Sequence, residues 1–146
     1  MKKSLVMLAL VALTAAAVSI GAGTARATPP VRVDWVKHVV DPANFVFEGT
    51  TSGDAPGTLT SRLVSLDAST GTVLHVTFDW IVSSGSKSFT ARTSGIWNLN
   101  TGRVVMNGSV IAGFLEGAHV HEEGQLTEPA TLSFQGFLQL LPDTAG

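Results

Sequence analysis

An all-β fold, a single antiparallel barrel of about seven or eight strands, follows from three features of the sequence. Apolar residues recur at every second position, turn-forming clusters separate those runs at roughly 10–15 residues, and helical periodicity is nearly absent. A β-sandwich is the alternative architecture open to the same elements.

The chain begins with Lys2 and Lys3, then an uncharged apolar stretch from Leu5 to Ile20, then Ala25-Arg26-Ala27. This order of positive, apolar and small residues is that of a bacterial-type secretory signal peptide, so residues 1–27 are expected to be cleaved before Thr28. The apolar stretch is shorter than the roughly 20 residues that span a bilayer, and an uncleaved N-terminal anchor is the competing reading. The expected destination is the periplasm or the medium. Residues 28–43 read as an N-terminal strand and linker, 44–141 as the barrel domain and 142–146 as a C-terminal tail.

The expected strands run in order through the remainder. Val31–Val36 and Phe45–Thr50 flank a turn at Asp41-Pro42, and Thr58–Leu66 follows the turn-rich segment Ser52 to Gly57. The clearest strand comes next: Leu74, Val76, Phe78, Trp80 and Val82 share one face, against His75, Thr77, Asp79 and Ile81 on the other. Ser88–Trp97, Val104–Ala112, Ala118–Glu122 and Leu132–Leu140 complete the set, separated by Gly-containing turns. Asn107-Gly108 resembles a hairpin turn, but the alternation runs through it and places it within a strand. Closure into a barrel removes the exposed edges that such a meander otherwise leaves.

Composition limits the function. Lys2, Lys3 and Arg26 are three of only 9 basic residues, while all 11 acidic residues lie beyond residue 27. The remainder is therefore net acidic, which argues against nucleic acid and against an anionic membrane surface. With no cysteine, an exported domain cannot be stapled by disulfides and must bury an adequate core. All seven Phe and all three Trp lie beyond the leader and supply one. The mean hydropathy of +0.32 is raised in part by the leader.

The segment Phe47-Glu48-Gly49-Thr50-Thr51, the Gly-punctuated strands, and Ser88-Phe89-Thr90-Ala91-Arg92-Thr93-Ser94-Gly95 together resemble the small secreted barrels related to allene oxide cyclases and dirigent proteins. The resemblance covers about residues 44–141. It implies an eight-stranded cup with an apolar cavity that takes a hydrophobic small molecule. Tyrosine is absent, so no phenol-based pocket chemistry carries over.

Two clusters carry candidate chemistry. His119 and His121 share a strand face and can hold one divalent cation, with Glu116, Glu122 or Glu128 completing the set; Glu122 is the carboxylate assigned to it. The alternative is a solvated strand end, with no cofactor at all. His75 and Asp79 share a face of the strongest strand and are the candidate catalytic pair for proton transfer if that face lines the lumen; facing water, they are ordinary outward polar residues. Phe78, Trp80, Phe89, Trp97 and Phe134 are the expected ligand-pocket residues, or else core filling. No Gly-x-Ser-x-Gly elbow and no phosphate-binding glycine loop occurs.

Three functions compete. The first is an exported module that binds a hydrophobic small molecule in the barrel. The second is a cyclase- or isomerase-like, or metal-dependent, enzyme that uses the same cavity. The third is an assembly protein with no small-molecule site. A homo-oligomer is compatible with each.

Overall fold

A computed structural model describes residues 28–143; the expected signal peptide at 1–27 and the end of the tail lie outside them. Eight strands form one closed antiparallel barrel in which each strand pairs with its neighbours in sequence and the last pairs with the first. They are β1 (Val31–Asp41), β2 (Val46–Gly53), β3 (Gly57–Asp67), β4 (Val73–Ser83), β5 (Phe89–Asn98), β6 (Arg103–Gly113), β7 (His119–Glu128) and β8 (Ser133–Leu141). A short 3-10 turn at Gly85–Lys87 joins β4 to β5.

The all-β barrel expected from the alternation is therefore the fold, and each of the eight expected strands is present. The barrel does not start at residue 44, however. Val31–Asp41 is a full wall strand, with Val36 opposite Thr50 on one side and Gln135 on the other. Val33, Trp35 and Lys37 all point inward from it and are buried. An inward lysine interrupts the apolar alternation after Trp35, which is why the strand looked shorter in the sequence. Likewise β7 continues to Glu128, past the inward carboxylate of Glu122.

The inward face of β4 is the apolar set Leu74, Val76, Phe78, Trp80 and Val82, all buried. At the end of the barrel where β1 begins, Val33, Leu59, Val82, Phe89, Val110, Val120, Leu138 and Leu140 fill the lumen. Toward the other end the filling is aromatic. Trp35 packs on Trp80 with ring centroids 5.1 Å apart, and Phe134 meets Phe47 at 5.8 Å and Trp97 at 5.4 Å. Phe45, in the β1–β2 turn, covers Trp97 edge-on at 6.2 Å.

Rings of this size fit because several inward positions carry no side chain. A Cβ on Gly136 would lie 2.0 Å from Glu123 O and 2.8 Å from the Trp35 ring, and one on Gly124 would lie 2.8 Å from the same ring. The two glycines face each other across β7 and β8 and let both strands bend closely around Trp35. Gly136→Ala is expected to lower stability by roughly 2–3 kcal/mol through overpacking. Urea denaturation measures it, and an unchanged midpoint would show that these strands have slack the packing does not suggest.

Candidate functional site

The chemistry expected on β4 and β7 lies largely outside the barrel. His75 is exposed on the outer wall, in an open hollow of about 440 Å³ with Leu66, Asp67 and Ser94. Asp79 also points outward, where Arg92 donates to both of its carboxylate oxygens, at 2.7 and 2.9 Å. That guanidinium holds the Asp79 carboxyl below the ordinary carboxylate range. The strand's apolar face is the inner one, so His75 and Asp79 do not line the lumen, and the pair is not positioned for proton transfer there.

The β7 cluster divides between the two faces for the same reason. His119 is exposed and His121 half-buried on the outer wall, while Ala118, Val120 and Glu122 are buried. Both nitrogens of His121 are engaged: Nδ1 contacts Asn107 Oδ1 at 2.9 Å and Nε2 contacts Glu123 Oε2 at 3.3 Å. Glu123 in turn pairs with Arg103. Glu122 cannot join His119 and His121 around one ion, since period-two alternation sends its side chain through the opposite face. Among the described residues, no three His, Cys, Asp or Glu side chains gather around a point suited to a metal.

The expected pocket residues Phe78, Trp80, Phe89, Trp97 and Phe134 are all inside and buried. Phe78, Trp97 and Phe134 line a void of about 20 Å³ together with Trp35, Lys37, Phe47, Val76, Val104, Met106 and Glu122. Trp80 packs beside it. Phe89 belongs to the filled end of the barrel and takes no part. The void has room for about one water-sized guest.

Two ionisable side chains meet this apolar interior. The Lys37 ammonium sits among five rings, 4.0 Å from the Trp80 centroid, 4.8 Å from Phe47, 5.0 Å from Trp35, 5.1 Å from Phe78 and 5.9 Å from Phe134. Ring quadrupoles attract a cation in such positions. It has one hydrogen bond, donated to Ser61 Oγ at 3.3 Å. Burial nevertheless pulls the amine down from 10.5 to about 8, against the opposing attraction of Glu122. The Glu122 carboxyl is fully buried as well. Desolvation lifts it from 4.5 to about 7, opposed by the Lys37 charge and by Thr93. Thr93 Oγ1 accepts the Trp80 indole N–H at 3.0 Å and lies 3.5 Å from Glu122 Oε2.

Glu122 Oε1 has no hydrogen-bond partner, nor have the indole nitrogens of Trp35 and Trp97. All three residues line the one void. Unpartnered buried polar atoms each cost about 1–3 kcal/mol, so this part of the lumen is not arranged for stability alone.

Lys37 and Trp35 lie outside the expected site residues, and Glu122 points into the interior, opposite the face that carries His119 and His121. Parity held the signal. Lys37 alternates with Val33 and Trp35, and Glu122 alternates with Ala118 and Val120, so both belong to apolar, inward-facing sets.

The pair fixes an unusual pH dependence of stability. Glu122 binds its proton more tightly when folded, so its contribution is full below about 4.5 and is lost as pH rises through about 7. Lys37 binds its proton less tightly when folded, so its contribution is full above about 10.5 and is lost as pH falls through about 8. Thermal unfolding is expected to show a stability minimum between about 7 and 8, flanked by rises on both sides. In Lys37→Met/Glu122→Leu the minimum should vanish and stability at neutral pH should match the parent or exceed it by up to about 4 kcal/mol. A flat parent profile would contradict the burial of both charges.

Comparison with family models, with curated proteins and with solved structures finds no match for this chain.

Proposed function

We propose that the chain is an exported barrel that binds a small molecule in the aromatic half of its lumen. The guest has an apolar body and one polar end. One observation carries this reading: three buried polar atoms, on Glu122, Trp35 and Trp97, are left without partners around a single void walled by aromatic rings. Binding sites of this kind combine an apolar lining with a few convergent polar groups, and buried groups with displaced pKa values cluster at functional sites.

The void of about 20 Å³ accepts only the polar end of such a guest. The apolar body takes its place by displacing Trp97 and Phe45 toward the end of the barrel where β1 finishes. One feature supports access from that side. The opposite end is closed by packed apolar side chains. The likeness of the Gly-punctuated strands to allene oxide cyclase and dirigent-type barrels points the same way, although a shared fold does not establish a shared function.

A second reading, a cyclase- or isomerase-like enzyme, is favoured by one specific observation. Lys37 and Glu122 face one lumen void, and burial pulls the amine down to about 8 and pushes the carboxyl up to about 7, the range in which a general acid and base operate best. It uses the same lumen but assigns the chemistry to β1 and β7, leaving His75 and Asp79 without a role in it.

The test is native mass spectrometry of the protein taken directly from its host, set against its denatured mass. The expected result is a mass excess that disappears on denaturation and is absent from Glu122→Leu. Identical native and denatured masses would overturn the lumen reading. An excess equal to one divalent metal would transfer the site to His119 and His121.

A further inference from the structure

We propose that the Lys37 amine is an attachment point for an aldehyde with an apolar tail, which it holds as a protonated imine with Glu122 as counter-charge. This deepens the lumen reading and rests on it. Lys37 Nζ lies inside the sheet and on the void, its only hydrogen bond goes to the neutral Ser61 hydroxyl, and no carboxylate forms an ion pair with it among the described residues. An amine held out of ion pairs and desolvated in an apolar pocket is the kind that condenses with carbonyl compounds. Its lowered affinity for protons supplies free amine at neutral pH. The rings that surround the ammonium suit an imine cation equally, since their quadrupoles act on charge and not on the number of N–H bonds.

The step balances with groups already present. Neutral Lys37 Nζ attacks the carbonyl carbon, forming the C–N bond and a carbinolamine. The protonated Glu122 carboxyl then supplies the proton with which the hydroxyl leaves as water. The products are an imine cation on Lys37, a carboxylate on Glu122 and one water. No oxidant or reductant is consumed. The aldehyde's tail points toward Trp97, where the barrel is closed only by side chains.

Lysine placement makes the test clean. Apart from Lys37, the described residues hold one lysine, Lys87, which is exposed and donates to Asp54 O at 2.9 Å. The full chain is treated at neutral pH with hexanal and sodium cyanoborohydride, which reduces the imine to a stable secondary amine, and the modified lysines are located by peptide mass mapping. Lys37 is expected to take the hexyl group in roughly tenfold or greater excess over Lys87, because burial lowers the proton affinity of its amine and the surrounding rings hold the apolar tail and the imine cation. Glu122→Gln should reduce the yield at Lys37 and leave Lys87 unchanged. Hexyl groups on Lys87 with none on Lys37 would overturn the proposal. Formaldehyde, the smallest aldehyde, separates chemistry from access. Methylation of Lys37 without hexylation would overturn the apolar-tailed aldehyde, and no reaction at Lys37 with either reagent would overturn the imine itself. A reversible mass excess on the protein from its host, with no reducible bond at Lys37, would remove the covalent step and leave the lumen as a binding site.

Discussion

The Lys37 ammonium is enclosed by the rings of Trp35, Phe47, Phe78, Trp80 and Phe134, and most of the interior is organised around that placement. A charge taken this far from water is tolerable only where polarisable rings, an oxygen and a distant opposite charge all act on it. Ser61 provides the oxygen and Glu122 the opposite charge. These residues come from six strands of the wall, β1, β2, β3, β4, β7 and β8. The cage therefore exists only when the barrel is closed, and local structure alone cannot assemble it.

Closure in turn depends on where the wall lacks side chains. Trp35 spans the space opposite Gly124 and Gly136, and its indole then packs on Trp80. A larger residue at either glycine would push the indole into the cage or straighten the strands that carry it. The bending that allows the last strand to meet the first and the packing that positions Lys37 are thus two consequences of one set of contacts. The unpartnered atoms of Glu122, Trp35 and Trp97 follow from it as well, because a lumen this apolar offers them few partners.

The outer wall obeys simpler rules. Arg92 with Asp79, Arg103 with Glu123 and Arg32 with Asp34 pair across or along strands in reach of solvent, where screening leaves each pair little effect on stability. His75, His119 and His121 belong to this surface. Lys37 and Glu122, by contrast, lie inside the barrel, where the lack of water around them sets their proton affinities.

The all-β class, the position and order of the strands and the division of β4 into an apolar and a polar face were legible in the sequence, because period-two alternation and Gly-rich turns are local signals; which face of β4 points inward, and closure into a barrel, were not. The sequence shortened β1 at Val36 and β7 at Glu122, since a charged side chain on an apolar strand face reads as the end of the strand. It also grouped His119, His121 and Glu122 by proximity along the chain, although adjacent residues of a strand face opposite ways. That Lys37 and Glu122 share an interior depends on how the strands close into the barrel. The two residues lie 85 positions apart on strands brought together by closure, and the desolvation that shifts their proton affinities is a property of the assembled barrel, absent from any segment of the chain.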